Sequence, residues 1–160
     1  MSDKINPFEK KKKGVFFFKS SNPYEFYDLL NGKNMDDKQD VWGTLIFPEN
    51  AKKPCPLIIP IHGSAGLREG HHTHMVNLLD AGFAIFRIHH FESRGVISIV
   101  ENQTEVTLAS MITDAFRALT LVSKHPDVDS DKIGIMGWSL GGSTAFYAAW
   151  QPIILSLIHI

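Results

Sequence analysis

The chain has 160 residues, 44% of them hydrophobic and 21% charged, with a formal net charge of −1 at pH 7. That is the composition of a soluble globular protein long enough for one domain with a real core, and near-neutrality gives no general attraction to nucleic acid or an anionic membrane. The single cysteine, Cys55, excludes an internal disulfide and fits a reducing compartment, and no apolar run reaches the roughly 18–20 residues that cross a bilayer.

Residues 1–13 are polar and lysine-rich, with Lys10 to Lys13 in a row, and read as a solvated end. Only 15–18 follow as an apolar run, shorter than a signal-peptide core of about 7–15 residues, so the expected location is the cytoplasm. Residues 15–19 and 25–30 read as short strands around the Ser20-Ser21-Asn22-Pro23 turn, and 31–40 as a polar loop. Residues 1–40 thus form an extension with short antiparallel strands ahead of a main unit over 41–152. Residues 41–48 alternate as a strand closed by Pro48.

From residue 54 the rhythm changes. Residues 56–63 are almost continuously apolar, as in a strand buried on both faces, although Pro60 removes a ladder donor. A glycine-punctuated loop follows at 63–66, then a helix over 69–80 ended by Gly82, a buried strand over 83–88 and a loop over 89–103. Residues 105–124 carry helical spacing, with Val106, Ala109, Ile112, Phe116, Leu119 and Val122 near one stripe, and His125-Pro126 stops it. Residues 127–131 read as a turn, 132–137 as a buried strand and 143–150 as the continuation of a helix. Alternating strands and helices imply an α/β fold with a parallel sheet, whose ligands bind at the carboxyl ends of the strands. His62 to Gly66, His89 to Gly95 and Ser139 all fall there.

The stretch Gly137-Trp138-Ser139-Leu140-Gly141-Gly142 has the G-x-S-x-G pattern of a nucleophile elbow between a strand and a helix. A mere helix N-cap at Ser139 would need neither the following glycine pair nor the glycine loop upstream. Acyl transfer turns a carbonyl oxygen into an oxyanion, so two fixed donors are wanted beside the serine. The N–H of Leu140 is one candidate, and the 63–66 loop is the source of the other.

Four segments resemble the α/β-hydrolases, most closely their dienelactone-hydrolase branch. They are His62-Gly63-Ser64-Ala65-Gly66-Leu67-Arg68-Glu69, Phe91-Glu92-Ser93-Arg94-Gly95-Val96, His125-Pro126-Asp127-Val128-Asp129 and Ile135-Met136-Gly137-Trp138-Ser139-Leu140-Gly141-Gly142. The resemblance covers roughly 40–150 and implies a mostly parallel sheet with helices on both faces, of which the first five or so strands are present. It implies Ser139 as nucleophile and the N–H of Ser64, or alternatively Ala65, as the second oxyanion donor, with His62 supporting that loop. Serine stands where members named for dienelactone hydrolysis carry cysteine, which points to a small-molecule ester or other acyl substrate. Arg94 is a candidate for a substrate carboxylate, or holds its own loop. Asp114 reads as a helix-surface or loop-tethering carboxylate. His71, His72, His74, His89 and His90 lack the spacing of a helical zinc pair, so neither a metal nor an organic cofactor is expected. A serine peptidase or acyltransferase, and a non-catalytic binding protein, are the alternative readings of the same fold.

The triad order Ser, then Asp or Glu, then His requires an acid and a base after the serine. After Ser139 there is no Asp or Glu, and the one histidine, His159, is second from the end. Acid and base are therefore expected outside this chain, which reads as a fragment with little activity of its own. Residues 153–160 turn abruptly apolar. The run 155–160 is the in-frame translation of CTG TCT CTT ATA CAC ATC, which resembles the mosaic-end adapter of transposase-based sequencing libraries. A non-native tail is expected there, with a sixth strand as the alternative.

Overall fold

The computed structural model describes Phe8 and residues 12–157. The chain order is β1 (Gly14–Ser20), α1 (Phe26–Asn31), β2 (Gln39–Ile46), β3 (Cys55–Ile61), α2 (Glu69–Asp80), β4 (Ala84–Ile88), a 3-10 turn (Glu92–Arg94), α3 (Leu108–Val122), β5 (Val128–Gly137), α4 (Leu140–Ala148) and α5 (Gln151–Leu157). The strands form one sheet in the order β1-β2-β4-β3-β5. Its β1–β2 and β2–β4 pairs are antiparallel, while β4–β3 and β3–β5 are parallel. The sheet is therefore mixed, with the parallel half carrying the strand–helix alternation.

The crossover through α2 steps from β3 to β4, and the one through α3 steps back across β3 to β5. Right-handed crossovers in opposite directions put α2 and α3 on opposite faces. Strand order thus reverses around β3, and the loops leaving β3 and β5 meet at one point of the sheet.

The main core lies on one face of the sheet, where Leu57, Ile59 and Ile61 of β3 are buried with Phe86 and Ile88 of β4, Val41 and Leu45 of β2, and Met111, Ala115, Ala118 and Val122 of α3. Pro60 leaves its mark. The ladder to β4 ends at Ile58, whereas that to β5 continues through Pro60 to Ile61. In β1, Phe16 is buried while Phe17 is 71% exposed, the alternation of a strand with one wet face.

Four sequence expectations change. Residues 25–30 are a helix, not a strand: Asp28 accepts the N–H groups of Tyr24 (2.7 Å) and Glu25 (3.4 Å), and Gly32 closes the helix at φ 64°. The segment 127–131 is not only a turn, because β5 already starts at Val128, which pairs with Cys55 before a register shift. The helix behind Ser139 breaks after Ala148, and 151–157 form α5 instead of a sixth strand, with Ile153 and Leu157 buried. Residues 158–160 lie outside the described residues, as do 1–7 and 9–11. Finally, Phe116 and Leu119 of the α3 stripe stay partly exposed and line, with Ile133, Ile135 and Ile154, an apolar groove of about 250 Å³.

Candidate active site

The site begins with two glycines. A Cβ on Gly141 would overlap the carbonyl oxygen of Ile61, and one on Gly137 would overlap the carbonyl of Gly141. Only hydrogen fits at either position, so α4 starts in direct contact with the ends of β3 and β5. Trp138 N–H donates to the Ile61 carbonyl (3.1 Å) and Gly141 N–H to the Trp138 carbonyl (2.9 Å), closing a tight corner. At its apex Ser139 is exposed and holds φ 52°, ψ −119°. A non-glycine residue in that region stores roughly 1–3 kcal/mol of backbone strain. Its side chain makes no capping bond to α4. Among the described residues Ser139 Oγ has no hydrogen-bond partner.

The 63–66 loop lies against this corner: a Cβ on Gly63 would stand 3.2 Å from Ser139 Cβ and 3.8 Å from Oγ. Gly63 carbonyl accepts Gly66 N–H (3.0 Å) and the Nδ1–H of His62 (2.9 Å). Ser64 carbonyl accepts Ile99 N–H (2.8 Å) and the Ser98 hydroxyl (3.3 Å). A trans peptide points its N–H away from its own C=O. With both carbonyls engaged, the N–H groups of Ser64 and Ala65 turn to the opposite side, where no acceptor among the described residues takes them. The N–H of Leu140, at the start of α4, is likewise unmatched.

His62 stands behind the loop. Burial, reinforced by His90, pushes its imidazole down to about 4, so it is neutral near pH 7. Its ring packs edge-on against Phe91, and its Nε2 is buried without a protein partner among the described residues. From the other side His71 of α2 stacks on Trp138 at 4.3 Å and 21°, while its Nδ1 accepts Arg68 N–H (3.1 Å).

Arg94 is turned inward. Its Nη1 and Nη2 donate to Asp114 Oδ2 (2.8 Å) and Oδ1 (3.0 Å), and its side chain is 6% exposed. Nε donates to Asn22 (2.8 Å), and Nη1 also donates to the His90 carbonyl (2.9 Å). Of the two roles open to Arg94 from sequence, this geometry engages the loop-holding one. Asp114 is fully buried on α3, so it tethers a loop and does not lie on the helix surface. It accepts the Ser20 hydroxyl (2.5 Å) and His90 Nδ1–H (2.8 Å) as well. Burial alone would raise its carboxyl, but Arg94 and His90 hold it below the ordinary carboxylate value.

His89 stacks on Trp42 at 3.4 Å and bonds Glu92 (3.4 Å), and that bond holds the Glu92 carboxyl down at about 2. Among the described residues no three His, Cys, Asp or Glu side chains converge as metal ligands, and no helix is long and apolar enough to cross a membrane. The structure thus brings Ser139, Leu140, Ser64 and Ala65 together, whereas Arg94 is committed to Asp114, Asn22 and the His90 carbonyl. His159 lies outside the described residues. The parts that sequence reasoning missed are the 97–99 brace on Ser64 and the His71–Trp138 stack.

The family model BD-FAE matches residues 44–152. No curated protein matches the chain. Among solved structures it is similar to a dienelactone hydrolase-like promiscuous phosphotriesterase from metagenomic libraries, at 18% identity and TM-score 0.58, covering 85% of this chain and 54% of that one. It is similar to Est1E from Butyrivibrio proteoclasticus, solved with ferulic acid bound, at 28% identity and TM-score 0.55, covering 69% and 43%. A glucuronoyl esterase from Solibacter usitatus aligns at 21% identity and TM-score 0.51, covering 69% and 40%. The chain spans about half the length, or less, of these structures.

Proposed function

The chain belongs to the BD-FAE family, among the dienelactone hydrolase-like α/β-hydrolases, and we propose that it carries the nucleophile and oxyanion donors of a hydrolase acting on small-molecule carboxylic esters or related acyl compounds. Ser139 Oγ attacks the acyl carbonyl and forms an acyl-enzyme. The oxyanion of the tetrahedral intermediate is received by the N–H of Leu140 and by that of Ser64 or Ala65. Loss of one such donor typically costs about 100–1000-fold in rate. The alcohol departs, and water then releases the acid. A serine hydroxyl needs a base oriented by an acid, and this reading places both in sequence beyond Ser139 that this chain does not contain.

The observation that carries the reading is Ser139 itself: exposed, at positive φ, with no capping bond. A serine serving only to cap α4 would adopt extended backbone and accept an N–H of the first turn. The unmatched N–H groups beside it add support, as does similarity to two solved structures, one a glucuronoyl esterase and one an Est1E holding ferulic acid. In this reading Arg94 acts from behind the loop, since its guanidinium is already committed to Asp114.

A fluorophosphonate probe applied to the full-length parent protein tests the assignment. Labelling is expected on the peptide that contains Ser139, and Ser139→Ala should abolish it. Equal labelling of both proteins, or labelling at another residue, would dismiss Ser139 as the nucleophile.

A further inference from the structure

The oxyanion loop is held from two directions, and one of them leads away from the reacting atoms. Ile99 N–H and the Ser98 hydroxyl both donate to the Ser64 carbonyl. Ile97 lies so close that a Cβ on Gly66, at φ +75°, would stand 2.7 Å from its carbonyl oxygen. Residues 97–99 therefore form a frame along one side of the loop. What holds the frame is upstream. The chain leaves β4, passes through the Glu92–Arg94 turn and reverses at Gly95, at φ 71°. Its deep anchor there is the two-pronged bond of Arg94 to Asp114.

Asp114 sits midway along α3, among Met111, Ile112, Ala115 and Ala118, all buried. A helix gains nothing from a carboxylate on its apolar face, and a buried ion pair is weak support for stability taken alone. What the position does offer is a junction. The end of β1 through Ser20, the exit of β4 through His90 and the turn through Arg94 all converge on one fixed carboxylate.

We propose that Asp114 is a positioning residue for the oxyanion loop: through Arg94 and the 94–99 segment it sets the plane of the Ser64–Ala65 peptide, and with it the direction in which the loop offers N–H groups to an acyl oxygen at Ser139. The link from Asp114 to Ser64 stands on the bonds just named. Only its catalytic meaning rests on the hydrolase reading above.

Hydrogen exchange of the 160-residue chain, read by mass spectrometry on short peptides, tests the link directly. In Asp114→Asn the peptide containing Ile99 should exchange about tenfold faster, while peptides from β3 and the rest of α3 change far less. Arg94→Lys keeps the charge but loses the two-pronged bond. It should give a smaller change in the same peptide, and it serves if Asp114→Asn does not fold. Unchanged exchange at Ile99 in the folded variants overturns the proposal, and so does uniform acceleration across all core peptides, which is what a merely structural role predicts. In the full-length parent protein the same substitutions should lower the fluorophosphonate labelling rate at Ser139 together with Ile99 protection. A labelling rate that holds while Ile99 is released overturns the catalytic meaning. If the full-length parent protein never labels at Ser139 while Ile99 still responds, the hydrolase reading fails and the link stands.

Discussion

Gly141 and Gly70 show how differently one residue type is used in this chain. At Gly141 an added methyl group meets the Ile61 backbone, which cannot step aside without parting β3 from α4. At Gly70, in the first turn of α2, nothing lies within 4 Å of the same position. Gly141→Ala is therefore expected to destabilise the fold by about 3 kcal/mol, and Gly70→Ala to stabilise it by about 0.5 kcal/mol. Urea melts of the two variants check both signs. His62 brings a pH dependence. Its folded value is pushed down to about 4 from the ordinary 6.5, so between those limits the unfolded chain binds the extra proton. The stabilisation is complete above pH 6.5 and is lost as pH falls towards 4. From pH 7 to pH 5 this group's share of the loss is about 2 kcal/mol. His62→Gln should show a smaller fall in stability between those two pH values than the parent. An equal fall in both would refute the assignment.

At the scale of elements, legibility followed the length and purity of the pattern. β3 was legible because a continuous apolar run between turn signals has few other solutions, and α2 because it is bounded by Gly66 and Gly82. α1 was misread. Residues 26–30 are too short a stretch for either period to stand out, and the decision came from Asp28 and Gly32, which cap a helix. The α3 stripe was right in period but too generous in width, since Leu119 is exposed in a groove and Phe116 lines that groove from the edge of the smaller core cluster. Neither the 97–99 brace nor the His71–Trp138 stack has a sequence pattern. Each joins residues far apart in the chain through contacts that exist only once the sheet has formed.

For the whole molecule the open feature is the β5 side. Among the described residues β5 pairs only with β3, and beside it Phe116, Leu119, Ile133, Ile135 and Ile154 line the exposed apolar groove. An unpaired edge next to an apolar surface is a template for association. The 160-residue chain is therefore expected to self-associate at micromolar concentration, and Leu119→Lys, which places a charge in the groove, to shift it towards monomer. Sedimentation velocity decides, and a parent chain that sediments as a monomer would refute the expectation.

By itself the sequence determined the fold class and the glycine-bounded corner at Ser139. Strand–helix alternation, apolar runs and the glycine spacing around Ser139 are local properties, and local sterics leave them few outcomes. The tertiary structure decided how the site is held. The strained φ of Ser139, the carbonyl bonds that turn the Ser64 and Ala65 N–H groups outward, and the inward commitment of Arg94 all depend on partners distant in sequence. Such partners meet only when strand order brings them together. The elbow could be read from its own residues, whereas its support could not.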